Sequence, residues 1–91
     1  MQEVRASFEI INELGLHARA ATKLVQLAAR FPCEIVVSRE GQSANAKSVM
    51  GVLLLCTGKG ASLDVVARGD SAQEAVDAIG KLIEDKFGEE K

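Results

Sequence analysis

The feature that most constrains the fold is the alternation of short strand-like and helical segments within only 91 residues. Apolar residues at every second position from Val4 to Ile10 predict a half-buried strand. From Ala18 the apolar residues recur with helical spacing, and Pro32 predicts the end of that helix. Two β-rich stretches then follow, residues 33–37 and 42–45, and the turn at residues 40–41 between them predicts a hairpin.

The second half of the chain continues this alternation. Residues 48–56 are apolar on every side, so periodicity does not separate a short helix from a buried strand, but Ser48 suits an N-cap and favours the helix. Residues 63–67 alternate as another strand. Ser71-Ala72-Gln73-Glu74 matches a capping box that opens a last helix, with Gly88 at its C′ position. The order β-α-β-β-α-β-α predicts one α+β domain over residues 1–91, an antiparallel sheet with helices packed on one face.

Composition excludes several functional classes. The net charge of −2 and the absence of Trp and Tyr argue against a protein that coats nucleic acid or stacks its bases. No apolar run approaches the ~20 residues that span a membrane, and no leader precedes the first strand, so we expect a cytoplasmic protein. Two cysteines and one histidine are too few for a zinc site. We predict that Cys33 and Cys56 are buried thiols, with a disulfide or a reactive thiol as alternatives.

The single histidine, His17, lies where the first helix begins. One interpretation is a structural or helix-capping residue. The other follows from the N-terminus of a helix, where unpaired backbone N–H groups, here those of Ala18 and Arg19, and a partial positive charge favour an anion. The guanidinium of Arg19 adds a fixed charge suited to a phosphoryl group or a carboxylate. His17 is therefore a candidate phosphoryl acceptor that needs no metal or cofactor.

The distribution of charge indicates a partner surface. Residues 14–33 and 41–63 contain no Asp or Glu, whereas they contain five basic residues, Arg19, Lys23, Arg30, Lys47 and Lys59. If the first two helices lie side by side, they form a basic face for an acidic protein partner. Some of the apolar side chains at 49–54 would then be exposed within it, unless this segment is simply deep core. We expect the acidic residues at 84–90 to form a solvated helix end and tail.

Two motifs together resemble a known family. Gly15-Leu16-His17-Ala18-Arg19-Ala20-Ala21 is similar to the active-site motif of HPr, the histidine phosphocarrier of the bacterial phosphotransferase system, and Ala46-Lys47-Ser48-Val49-Met50-Gly51 is similar to its second motif. The order of elements and the spacing between the motifs also agree, so the resemblance covers essentially the whole chain. It implies an open-faced β-sandwich, a four-stranded antiparallel sheet covered on one face by three helices.

The resemblance also implies site residues and partners. His17 matches the histidine phosphorylated on Nδ1, Arg19 the arginine that assists transfer, and Ser48 the serine that HPr kinase/phosphorylase modifies in many relatives. The donor would be enzyme I, which takes its phosphoryl group from phosphoenolpyruvate, and the acceptor an A-type phosphotransferase domain. The expected protein is a monomer without a cofactor, a metal or turnover of its own. Its partner interface would comprise Ala20, Lys23, Lys47, Val49, Met50, Leu53 and Leu54.

One position departs from the family, which usually has proline where this chain has Ala20. Alanine is a strong helix former, so we expect the fold and the chemistry to survive. The departure bears on the fine geometry around His17 and on which enzyme I is the cognate partner. A different hypothesis is a regulatory binding module controlled by phosphorylation of Ser48, in which His17 is dispensable. A stand-alone enzyme is not expected, because the sequence offers no paired carboxylates, nucleophile–base pair or phosphate loop.

Overall fold

The computed structural model describes residues 2–91, and its elements follow the predicted order. The strands are β1 (Glu3–Glu9), β2 (Glu34–Arg39), β3 (Gln42–Asn45) and β4 (Ser62–Arg68). The helices are α1 (Ala18–Ala28), α2 (Val49–Leu54) and α3 (Ala72–Glu84), and a 3₁₀ turn (Lys86–Gly88) follows α3.

The four strands form one sheet in the order β1-β4-β2-β3, with every neighbouring pair antiparallel. β4 is therefore a central strand although it is the last strand in the sequence. Its register places Val65 opposite Ala6 of β1 on one side and Val37 of β2 on the other. Because residues paired across a sheet point to the same face, these rows bring the apolar positions of three strands together.

All three helices cover this apolar face, as the open-faced sandwich requires. α3 packs on β1 and β4, and α1 lies against α2 and α3. The core side of the central strands is fully buried, as Val37 and Val65 show, whereas Glu34 and Asp64 on the opposite side are exposed. Among residues 2–91, no helix is long and apolar enough to cross a membrane.

The ambiguous segment after Ser48 is a helix capped as predicted. The Oγ of Ser48 accepts a hydrogen bond from the backbone N–H of Gly51 at 3.2 Å. Within α2 only Val52 is buried, while Met50 is 69% and Leu54 is 71% exposed. The prediction of exposed apolar side chains here is confirmed, and the alternative that the segment is deep core is wrong. Two short turns do not suffice to bury apolar residues on every side.

Two predictions about the ends of α3 are wrong. Ser71 precedes the helix in the left-handed region (φ 66°) and its side chain makes no capping hydrogen bond, so the capping box does not form. An N-cap side chain reaches the first-turn N–H groups from an extended backbone, which Ser71 lacks. Gly88 is not at C′ of α3, because the chain already reverses at Lys86 (φ 57°) and Gly88 ends the following 3₁₀ turn.

The two cysteines lie in different surroundings. Cys33 is buried as predicted, but Cys56 is exposed, and the prediction that it is a core thiol is wrong. Cys56 has a positive φ (50°) just after α2, and its side chain is exposed although Leu55 before it and Thr57 after it are buried. Both thiols are free, so the disulfide alternative is also wrong.

Candidate phosphoryl-transfer site

His17 is the N-cap residue of α1. Its backbone is extended (φ −72°, ψ 179°), and its carbonyl accepts the first helical hydrogen bond, from Ala21 N–H at 2.8 Å. The imidazole makes no capping hydrogen bond, so the interpretation that the His17 side chain caps α1 is wrong, although its backbone occupies the N-cap position. The N–H groups of the first turn, including those of Ala18 and Arg19, have no intrahelical acceptor. α1 begins at Ala18 with alanine at position 20, so the helix does not need the usual proline.

The loop before His17 is held by a close backbone contact. Gly15 has a positive φ (64°), and a Cβ added there would lie 2.6 Å from the carbonyl oxygen of Thr57. The next residue, Leu16, donates its N–H to the same oxygen at 2.9 Å. Only glycine fits this approach, and the contact fixes the loop from which the histidine projects.

A buried asparagine at the start of this loop connects it to the end of the chain. Asn12 is fully buried, and its Nδ2 donates both to the carbonyl of Gly15 and to Oε1 of Glu89, each at 2.9 Å. Since both hydrogens of the amide are used, the orientation of Asn12 is determined by its partners.

The other carboxylate oxygen of Glu89 contacts the histidine. Oε2 of Glu89 is hydrogen-bonded to Nε2 of His17. The pKa of the Glu89 carboxyl lies below its ordinary value of 4.5, chiefly because of the hydrogen bond with His17 and then that with Asn12, while burial acts in the opposite direction. Glu89 is therefore ionised near neutral pH and accepts the hydrogen bond, so Nε2 is the donor.

This contact overturns one prediction. Glu89 is only 14% exposed at its side chain, so it is not part of a solvated tail. The face predicted to be free of acids contains Glu89 beside His17, and Glu13 and Glu90 line the groove next to Arg19. Sequence reasoning missed it because Glu89 is 72 positions from His17. The only local signal is Gly88, whose φ of 80° lets the chain fold back after the 3₁₀ turn.

Two further hydrogen bonds and one buried side chain hold this end of the chain in place. Phe87 is fully buried, and its carbonyl accepts a hydrogen bond from Nζ of Lys23 at 2.6 Å. The carbonyl of Lys91 accepts one from the N–H of Glu13 at 2.5 Å. We call residues 89–91 the C-terminal segment. It is bonded to the loop before His17 through Glu89 and the Lys91 carbonyl, while the side chains of Glu90 and Lys91 are exposed.

Arg19 is exposed on the first turn of α1. Within residues 2–91 its guanidinium makes no hydrogen bond or ion pair, and it lines an open groove with Leu14 and the C-terminal segment. Its charge also contributes to lowering the pKa of Glu89. A guanidinium without a committed partner is available to an incoming anion.

The predicted basic face is only partly free. Nζ of Lys47 donates to the carbonyls of Phe31 at 2.7 Å and Cys33 at 2.9 Å, so it joins the loop after α1 to the start of α2. Lys23 is committed in the same way to Phe87. These two ammonium groups stabilise the fold, whereas Arg30 and Lys59 lie exposed.

The apolar residues of the predicted interface divide into three groups. Met50 and Leu54 are exposed, Val49 and Leu53 are half-buried, and Ala20 has no exposed surface. The prediction that Ala20 contacts a partner is therefore wrong, because it faces the core from α1. Sequence reasoning missed Leu14, which is 69% exposed in the loop before His17.

The open-faced sandwich presents one histidine and one free arginine at the N-terminus of α1, an arrangement that suits the binding of an anion such as a phosphoryl group. A family model described as "PTS HPr component phosphorylation site" matches residues 4–85. The phosphocarrier protein HPr of Cupriavidus necator is 49% identical over 80 residues, covering 88% of this chain and 90% of that protein. The chain belongs to the HPr family, the phosphocarriers of the phosphotransferase system.

Solved structures agree with this assignment. HPr-C-His from Thermoanaerobacter tengcongensis superposes with a TM-score of 0.91 at 44% identity and covers all of both chains. An HPr dimer from the same organism gives a TM-score of 0.77 at 44% identity, covering 98% of this chain and 100% of that one.

Proposed function

We propose that His17 accepts a phosphoryl group at Nδ1 from enzyme I, originally from phosphoenolpyruvate, and passes it to an A-type phosphotransferase domain for sugar uptake or regulation. One observation carries the proposal. Nε2 of His17 is hydrogen-bonded to Glu89, so Nδ1 is the ring nitrogen left for chemistry, at a helix N-terminus beside Arg19.

In the transfer step the lone pair of Nδ1 forms a bond to phosphorus. The bond between phosphorus and the donor's leaving atom breaks, and its electron pair stays with the donor. The phosphoryl charge is balanced by Arg19 and by the first-turn N–H groups of Ala18 and Arg19. Transfer to the acceptor repeats the same exchange with Nδ1 as the leaving atom. The protein therefore completes no turnover without its two partners.

The partners would dock beside His17. Exposed apolar side chains on α2, Met50 and Leu54, and Leu14 in the His17 loop offer contacts for enzyme I and for A-type domains. Exposed Arg19 and Arg30 offer charge to an acidic partner. The cytoplasmic location and the monomeric state stay predictions, and the HPr dimer from T. tengcongensis makes oligomeric state a measurement to include.

Intact mass spectrometry tests the proposal after the chain is mixed with phosphoenolpyruvate and the enzyme I of its host. We expect a single phosphoryl adduct that disappears in mild acid and is absent in His17→Ala. Circular dichroism of the variant provides the control for folding. An acid-labile adduct on His17→Ala would overturn the assignment of His17.

The alternative function is a binding module controlled at Ser48. It is favoured by the position of this serine, half-buried at the start of α2 next to exposed Met50. A phosphoryl group there would add nearly two negative charges beside the docking residues and repel an acidic partner. In this case Ser48→Ala, and not His17→Ala, would abolish ATP-dependent regulation in the host. An unchanged regulatory response in Ser48→Ala would exclude it.

A further inference from the structure

We propose that Glu89 is a positioning residue for the phosphorylation of His17. Its carboxylate holds the imidazole with the proton on Nε2 and so presents the Nδ1 lone pair to the incoming phosphoryl group. This inference rests on the proposed function of His17, and it adds to it a residue outside both family motifs and outside the matched residues 4–85.

The geometry of the carboxylate supports this role. One oxygen, Oε1, is fixed by Asn12, which is itself fully buried and tied to the carbonyl of Gly15. The second oxygen, Oε2, faces Nε2 of His17. Glu89 therefore does not contact the ring as a loose surface ion pair, because a chain of oriented hydrogen bonds aims its free oxygen at one ring nitrogen.

The consequence for the histidine follows from proton counting. A neutral imidazole carries one proton, and a carboxylate can only accept, so the proton is on Nε2 and the lone pair on Nδ1. When Nδ1 bonds to phosphorus, positive charge develops on the ring. The carboxylate stabilises that charge in the same way as the acid that orients the histidine of a catalytic triad. Glu89 itself neither receives the phosphoryl group nor touches it.

The substitution Glu89→Gln gives an unusual test of this role. Asn12 must still donate to Gly15, so its second hydrogen still points at position 89 and requires an acceptor there. The carbonyl oxygen of the introduced amide would face Asn12, and its NH₂ group would face His17. An NH₂ group donates, so Nε2 would become the acceptor and the ring proton would move to Nδ1. Glu89→Gln should therefore favour the Nδ1–H tautomer, instead of only weakening the preference for the Nε2–H tautomer.

Two measurements read this out on the full chain. Long-range ¹H–¹⁵N correlation spectra identify the protonated ring nitrogen without ambiguity, because the chain has a single histidine. The initial rate of phosphorylation by enzyme I and phosphoenolpyruvate is then measured on the same samples. We expect the Nε2–H tautomer in the wild type, the Nδ1–H tautomer in Glu89→Gln, and a rate about tenfold lower in this variant.

Two further variants separate positioning from docking of the C-terminal segment. Glu84→Gln removes the same charge from an exposed residue of α3 that does not line the groove beside Arg19, and it should match the wild type in tautomer and rate. Glu89→Ala has neither the carboxylate acceptor of the wild type nor the amide donor of Glu89→Gln. It should therefore give a mixture of tautomers and a rate between those of the wild type and Glu89→Gln. A residue that served only to dock the segment would make the alanine variant at least as slow as the glutamine variant.

The outcomes are distinguishable. If the wild type is phosphorylated and Glu89→Gln keeps its tautomer or its rate, the inference about Glu89 is overturned and the proposed function stands. A faster rate in either variant at position 89 would identify the segment as an obstruction and also overturn the inference. If the wild type forms no adduct on His17, the proposed function fails and the positioning role fails with it.

Discussion

Because Gly15 has no Cβ, its loop can pack closely enough on Thr57 to place the histidine two residues later. The loop can approach Thr57 closely only because no Cβ lies between them, and its positive φ is one that alanine adopts at a cost. The motif residue that makes no chemical contribution is thus the one that brings the imidazole to the start of α1.

We predict that Gly15→Ala lowers the free energy of unfolding by about 2 kcal/mol or more, because it combines a left-handed backbone with a contact of 2.6 Å to the Thr57 carbonyl. Urea unfolding measures the change. Gly58→Ala is the matched control in the facing loop, since a Cβ there meets nothing within 4 Å. Equal stabilities of the two variants would contradict the role of this contact.

At this scale the sequence predicts the residues that act through local geometry and misses those that act at a distance. His17 and Arg19 share a helix start, so their proximity follows from two positions of spacing. Asn12 and Glu89 come together only when the whole fold has formed, 77 positions apart. No periodicity or cap rule connects them, so the sequence alone predicts a solvated position for Glu89.

Among the elements, α2 depends most on a single side chain. It has only six residues, and a helix this short is marginal without a cap and tertiary packing. The Ser48 hydroxyl supplies the cap, and Val52 supplies the buried contact. Because only Val52 of this short helix packs into the core, Met50 and Leu54 remain exposed.

We predict that Ser48→Ala lowers the free energy of unfolding by about 1 kcal/mol, because the Gly51 N–H loses its acceptor. Ser43→Ala, at an exposed position of β3, is the control and should change stability by no more than about 0.5 kcal/mol. Chemical denaturation of both proteins provides the comparison. A loss in Ser48→Ala no larger than in the control would show that the cap is dispensable.

The two serine caps show what limits sequence-based prediction of elements. The predicted cap at Ser48 forms, whereas the equally convincing capping box at Ser71 does not, although both helices exist. At Ser71 the chain enters α3 from a left-handed residue (φ 66°, ψ 24°), and the side chain makes no capping hydrogen bond. A motif therefore predicts that a helix begins, but the entry angle of the chain decides how its end is satisfied.

At the scale of the whole molecule, the C-terminal segment connects the end of the chain to the loop before His17. Glu89 binds Asn12 and His17, and Lys91 accepts a hydrogen bond from Glu13, so the end of the chain is tied to the loop that follows the first strand. The stability of this connection depends on the charge of one carboxylate.

The dependence on the charge of Glu89 predicts that the free energy of unfolding changes with pH. The pKa of Glu89 in the folded state lies below its ordinary value of 4.5, so the ionised form stabilises the fold. This contribution is complete above about pH 4.5 and is lost as the pH falls through the folded pKa. The wild type should therefore exceed Glu89→Gln in free energy of unfolding at pH 7, and the difference should close towards pH 3.

Urea unfolding at intervals between pH 3 and pH 7 measures this difference. Glu90→Gln serves as the control, because Glu90 is exposed and lies next to the contact without taking part in it. A gap between wild type and Glu89→Gln that stays constant down to pH 3 would contradict the prediction.

The order of strands in the sheet also has a consequence for how the molecule is made. A ribosome releases about 5–20 residues per second, so β1 emerges several seconds before β4, its only neighbour in the sheet. During that interval β2 and β3 can already pair as a hairpin, while β1 has no strand to pair with. The newborn chain thus carries an unmatched strand until Arg68 has been synthesised, and the strand that arrives last joins the two halves of the sheet.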